Sequence, residues 1–203
     1  MKQYIKAFRY LAGTVALSMA FALVCFAQQA AGARLAQAQT AAPKEVPADR
    51  IAGMVAEWTR ARDYTKEYLD VMPEDGLALK PNPDIRSFSE QMLHLTAGFY
   101  FFAKPVFGVD APVADVRGFE KVEKLNKSKA DLTKAVMEGY DFVLAQIKTM
   151  TPAKLDETVT VFGTKMPRHV AIAKAFEHQT HHRGQTTIYI RLKGIKPPNE
   201  RLF

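Results

Sequence analysis

Cysteine is almost missing from this chain of 203 residues: there is one, Cys25, inside the apolar stretch near the N-terminus. Everything beyond it has no disulfide, no thiolate metal ligand and no thiol nucleophile to offer. A cysteine-free segment of this length must be held by its own apolar core, which it is long enough to build. Val24 stands where a lipid-modified cysteine wants a small residue, so lipidation is not expected either. Clusters of basic residues interleaved with aromatics are also missing, and with them the footprint of a nucleic-acid partner. There is no internal repeat and no low-complexity tract.

The N-terminus is the one region with a strong bias. Lys2, Lys6 and Arg9 precede a run from Tyr10 to Ala33 that carries no charge. Ala31-Gly32-Ala33 and Ala36-Gln37-Ala38 both fit a small-residue cleavage signal, so residues 1–38 read as an export signal peptide, and a periplasmic destination follows. An uncleaved N-terminal membrane anchor is the alternative, because the apolar run is long. Cleavage after Ala38 removes four basic residues and no acidic one, taking the formal charge from +7 to +3. That value fits a soluble domain with no stable membrane insertion. Residues 39–47, with Pro43, read as a linker, and 48–203 as the folded domain.

Apolar residues recur at helical spacing in four stretches of that domain. The first runs from about Ala48 to Met72 and stops at Pro73-Glu74-Asp75-Gly76. The second starts at Ser87, an N-cap with Glu90 three residues on as a capping box, and ends before Pro105. The third spans about Val122 to Met150, and the fourth about Pro167 to Leu192, with Gly194 as its C-terminal cap. Thr158 to Phe162 is β-branched and reads either as one strand of a hairpin turning at Gly163 or as an extended connector. Four long helices in one domain predict an all-α four-helix bundle.

The chemistry concentrates in His178-Gln179-Thr180-His181-His182-Arg183-Gly184-Gln185. His178 and His182 are four apart and share a helix face, one turn from each other. Ala171, Ala175, His178, His182, Gln185 and Tyr189 continue that face as a stripe with steps of three and four. On the second helix Gln91, His94, Gly98 and Phe101 form a comparable stripe, and Gly98 leaves room one turn after His94. If the two helices face each other, three imidazoles meet. Three neutral nitrogen donors without a fourth protein ligand leave a coordination position open, as in catalytic zinc sites. Spacing alone leaves other roles open: a hydrogen-bonded core histidine for His94, a solvated or titrating pair for the other two. His181 points about 100° away from His182, and His169 has no helical companion. Arg183 reads as a salt-bridged structural anchor, Glu177 as rotated away from the site, and Phe99 to Phe102 as core. Gln91 and Gln185 are candidate polar lining, and the loop from Phe107 to Gly118 a candidate rim.

Leu93-His94, the approach Lys80-Pro81-Asn82-Pro83-Asp84-Ile85-Arg86-Ser87-Phe88, the run His178-x-x-x-His182-Arg183-Gly184-Gln185 and the tail Leu192 to Pro198 together resemble the DinB-like family. The resemblance spans the chain from the first helix to the C-terminus. It implies a four-helix bundle with a divalent metal ion held by His94, His178 and His182. Family members of this kind bind zinc, nickel or related ions; some are thiol-dependent transferases or isomerases, and dimers are common. The expected cofactor is therefore a divalent metal, zinc or nickel, and a homodimer is an expected assembly. An export signal sits uneasily with a cytoplasmic thiol cosubstrate.

The leading expectation is an exported metal-dependent enzyme of the thiol-transferase or hydrolase type acting on a small molecule that the sequence does not identify. No catalytic residue beyond the ligands is assigned. The alternative is a non-catalytic metal- or ligand-binding protein of the bacterial envelope, and a third expectation is a helical interaction module without metal.

Overall fold

In the first helical stretch Trp58, Ala61, Tyr64, Thr65, Tyr68 and Leu69 are all buried, so the apolar stripe is one face of α1, Arg50–Val71. The computed structural model describes residues 50–202; the export signal read over 1–38 and the linker over 39–47 lie outside the described residues. After α1 the chain makes a 3-10 turn, Glu74–Gly76, at the Pro-Glu-Asp-Gly stop.

The helix α2, Phe88–Phe102, begins as its capping box dictates. The Glu90 N–H donates to Ser87 Oγ at 3.2 Å, and the Ser87 N–H donates to Glu90 Oε2 at 2.7 Å, so two donors that a helix start leaves orphaned are satisfied. Almost every residue of α2 is buried, as expected of the central helix of a bundle. It does not stop cleanly before Pro105: Ala103–Phe107 forms a π-turn that contains the proline, and Gly108, at φ +74°, ends it.

The third stretch differs from a single helix. It divides into α3, Glu123–Lys127, and α4, Lys129–Lys148. Ser128 is the cause: its backbone is extended, and its side chain accepts from the Asp131 N–H, so it caps a new helix instead of continuing the old one. A short α5, Pro152–Asp156, starts at Thr151, and then the chain turns back on itself as β1, Thr158–Val161, and β2, Thr164–Pro167. The two strands pair antiparallel, with Val161 opposite Thr164. The hairpin reading is therefore correct, and the turn is Phe162-Gly163, both at positive φ (+48° and +81°). Such two-residue turns match the strand twist, and glycine supplies the second position without strain.

The last helix, α6, is Arg168–Leu192. Gly194, at φ +73°, closes it: the Ile195 N–H donates to the Ile190 carbonyl and the Gly194 N–H to the Arg191 carbonyl, which satisfies the last turn's acceptors.

The four long helices form a ring of neighbours, α1 beside α4, α4 beside α2, α2 beside α6 and α6 beside α1. The architecture is the four-helix bundle the sequence implies. Trp58, Phe99 and Tyr140 pack edge to face at its centre, with ring centroids 4.8–6.2 Å apart. Phe99, Tyr100 and Phe102 are buried core, as the spacing indicated. Among the described residues, no helix is long and apolar enough to cross a membrane.

Candidate metal centre

The pairing of α2 with α6 fixes the site. The small members of the α6 stripe, Ala171 and Ala175, are buried and let α2 approach. Gly98 on α2 completes the approach: a Cβ built there would lie 2.5 Å from His178 Cε1 and 2.6 Å from its Nδ1, closer than real contacts allow. The His178 ring thus occupies the volume that the glycine leaves free.

His94 of α2 and His178 and His182 of α6 come together. Their ring centroids are 4.5 Å (His94 to His182), 4.5 Å (His178 to His182) and 5.4 Å (His94 to His178) apart. One nitrogen of each lies within 4.8 Å of the other two, so the three can hold a metal ion. Two nitrogens on a tetrahedral zinc at about 2.0–2.1 Å sit about 3.4 Å from each other. That spacing lies inside the 4.8 Å within which the three nitrogens sit.

Two of the rings have their tautomer set by a partner. His94 Nδ1 is 3.0 Å from Glu120 Oε2, so Nδ1–H donates and Nε2 keeps its lone pair. His182 Nδ1 is 2.9 Å from Gln91 Oε1 and does the same. The Gln91 amide is itself oriented: its Nε2–H donates to Tyr189 Oη at 3.4 Å, and the Tyr189 hydroxyl donates to the Arg86 carbonyl at 2.7 Å. Partners of this kind on the far nitrogen orient metal-binding histidines and raise their basicity. The third ring has none. His178 Nδ1 is buried without a hydrogen-bond partner among the described residues. That nitrogen packs against Gly98 of α2, and leaving it unpaired costs stability.

The electrostatics keep the rings neutral. Burial first, then the charge of His94, His181 and Arg86, holds His178 down at about 4. Burial and the neighbouring rings, His178 foremost, hold His182 at about 3. His94 is lowered too, by burial and then by Arg86, with Glu120 pulling the other way. Burial raises the Glu120 carboxyl, but its hydrogen bond with Arg86, then the Arg86 and His94 charges, outweigh that and leave it below the ordinary carboxylate range. Neutral imidazoles are the form that binds a metal, and among the described residues no carboxylate joins the three in the cluster.

A cavity of about 760 Å³ opens beside His182. Gln91 and Gln185 both line it, as expected. Its rim is not the loop from Phe107 to Gly118, which contributes no lining residue. The rim comes from the approach Lys80–Arg86 and from Glu120 and Lys121, the end of the 3-10 turn Phe119–Lys121. The loop runs outside; the turn that follows it carries the lining.

Glu120 and Arg86 are the residues the sequence reading missed. Arg86 Nε reaches Glu120 Oε2 at 2.8 Å and steadies the carboxylate on which His94 rests. Glu120 is 26 residues from His94 and outside any regular helical stripe. The one signal was its place at the end of a loop that must return to α2.

The other singled-out residues are not among the three converging rings, although His181 lines the cavity beside His182. His181 is exposed and accepts from Gln185 Nε2 at 2.9 Å. His169 sits by the Leu155 carbonyl. Glu177 is exposed and pairs with Lys174. Arg183 is an anchor, but without the expected salt bridge. Its buried guanidinium donates to Gln179 Oε1 at 2.9 Å and to the Ala61 carbonyl at 3.4 Å, and lies 4.6 Å over the Tyr64 ring. Neutral oxygens and a π-face take the place of a carboxylate.

Comparison with known proteins gives this arrangement a setting. The sequence profile of the DinB superfamily matches residues 57–186, which contain all three histidines. The uncharacterized protein YjoA of Bacillus subtilis (strain 168) is 23% identical over 144 residues, 70% of this chain and 89% of that protein. A DinB-like protein from Bacillus cereus ATCC 10987, solved at 2.01 Å resolution, has a TM-score of 0.60 and 20% identity, over 74% of this chain and 97% of the other. The crystal structure of YjoA gives a TM-score of 0.56 and 22% identity, over 74% and 96%. At these identities the two structures establish the shared fold.

Proposed function

The chain belongs to the DinB superfamily, and on that premise we propose that His94, His178 and His182 hold a divalent metal ion, zinc or nickel, in a metal-dependent enzyme of the bacterial envelope. The observation that carries this reading is the convergence of the three rings, one nitrogen of each within 4.8 Å of the other two, with the far nitrogens of His94 and His182 already tied. When bound, the ion supplies Lewis-acid chemistry toward a substrate oxygen, water or thiol, which suits a transferase or hydrolase type of reaction.

The chain's own side chains do the positioning. Glu120, held by Arg86, and Gln91, held by Tyr189, lock two rings with their lone pairs turned inward. The cavity meets the cluster at His182, the one of the three rings that lines it, and offers a small molecule a place beside the centre. Three neutral donors leave the ion's charge unreduced, which favours polarisation of a substrate over mere structural closure. The envelope location rests on the composition of residues 1–38 and a homodimer on the family resemblance alone.

A second reading, a non-catalytic metal- or ligand-binding protein, is favoured by one observation. The carboxylates closest to the rings in the network are engaged: Glu120 with Arg86 and His94, Glu90 with Ser87 and Lys80. Neither is a free base. The experiment that separates the readings is elemental analysis of natively purified protein, followed by thiol-transfer and hydrolysis assays with and without chelator. Metal-dependent turnover in either assay supports the enzyme; stoichiometric, reversible metal with no turnover supports the binding protein.

A further inference from the structure

Six charged side chains line the cavity beside His182, and their pairing is uneven. Lys80 Nζ lies 3.3 Å from Glu90 Oε2, and Arg86 Nε lies 2.8 Å from Glu120 Oε2. Those four cancel in two pairs. Lys121 and Asp84 remain. Both are exposed on the cavity wall, neither has an ion partner among the described residues, and they do not pair with each other.

Both stand on fixed backbone. The Asp84 N–H donates to Asn82 Oδ1 at 2.9 Å, in a turn flanked by Pro81 and Pro83, whose rings restrict the chain. The Lys121 N–H donates to the Gly118 carbonyl at 2.9 Å, and the residue before it, Glu120, is pinned to Arg86 and His94. Apolar surface is present on the same wall: Ile85 is 41% and Ile188 57% exposed. A wall with one unmatched cation, one unmatched anion and an apolar strip is complementary to a ligand that carries both charges and an apolar group.

We propose that this cavity binds a small zwitterion of the amino-acid or short-peptide type, its carboxylate toward Lys121, its ammonium toward Asp84 and its apolar group over Ile85 and Ile188. This rests on the cavity being the substrate site of the metal centre and narrows the class of that substrate. A ligand with a single charge leaves one wall charge unmet, and an exposed ion pair is worth up to about fivefold in affinity.

The test is calorimetric titration of norleucine, hexanoate and hexylammonium, which share one carbon skeleton. Zinc-loaded and metal-depleted protein are titrated in parallel, and zinc content is measured beforehand. The expected result is that norleucine binds about fivefold more tightly than either single-charge probe in both forms. Lys121→Ala should bring norleucine to the level of hexylammonium, and Asp84→Ala to the level of hexanoate. Both residues are exposed, so circular dichroism should show the fold unchanged. Equal binding of the three probes, a preference that vanishes with the metal, or insensitivity to both substitutions overturns the proposal. Zinc retained with the preference lost counts against this inference alone. A preference retained in protein that takes up no zinc supports it and counts against the metal reading.

Discussion

Gly98 and His178 occupy one volume between α2 and α6: a methyl group on Gly98 would sit 2.5 Å from the His178 ring. The ring's edge is held by this contact and not by a hydrogen bond. Gly98→Ala should therefore displace His178 and lower metal affinity by about tenfold or more, the effect of losing an orienting contact. Alanine in a helix is about 1 kcal/mol better than glycine, so the metal-free fold should survive. Chelator competition reads the first effect and thermal unfolding the second. Unchanged affinity would mean that His178 is not a ligand in this orientation.

Glu120 and Gln91 have parallel jobs on His94 and His182. Glu120→Ala and Gln91→Ala should each weaken metal binding by about 10–100-fold without abolishing it, since the ligand itself remains. Glu120→Gln keeps an acceptor but loses the charge, so it should fall between wild type and the alanine variant. Competition with a colorimetric chelator orders the series.

The depressed histidines set the pH response. Free imidazole titrates near 6.5, whereas His178 is held at about 4 and His182 at about 3. Between those values the unfolded chain binds more protons than the folded one, so stability rises with pH. The metal-free protein should thus be most stable above pH 6.5 and lose that contribution as pH falls toward 4. Metal should likewise stay bound at pH values where free histidine is already protonated, and leave only as pH approaches about 4. Metal release midway near pH 6.5 would show that the rings are not held in this buried, neutral form.

Arg183 lies under the site without touching its ligands' nitrogens. Replacing it with alanine takes one donor each from Gln179 Oε1 and the Ala61 carbonyl, which keep the Tyr140 and Thr65 hydroxyls, and opens a cavity beside Tyr64. Destabilisation of about 2–4 kcal/mol is expected in urea unfolding of the metal-free protein. Metal stoichiometry should be preserved. A loss of metal with little loss of stability would instead give Arg183 a place in the centre.

The bundle was legible because its signals are local. Ser87 and Glu90 start α2, Gly194 ends α6, and Gly163 turns the hairpin, each through a backbone requirement that residue type reveals. The break at Ser128 was hidden within a continuous apolar pattern, because a serine side chain that caps a helix also tolerates being inside one. The histidine stripe was legible for the same reason as the helices: it follows the helical period. Glu120 was not, since it reaches His94 from a short 3-10 turn with no periodic neighbours. Arg183 was placed correctly as an anchor, but the neutral nature of its partners depends on the packing of α1 against α6.

The most direct measurement is metal content of the untagged protein and of His94→Ala, His178→Ala and His182→Ala, each purified natively and checked for helicity. The account predicts about one divalent ion per chain in the wild type and a sharp fall in all three variants. Folded wild-type protein that takes up no zinc or nickel, or variants that keep the full complement, would contradict it.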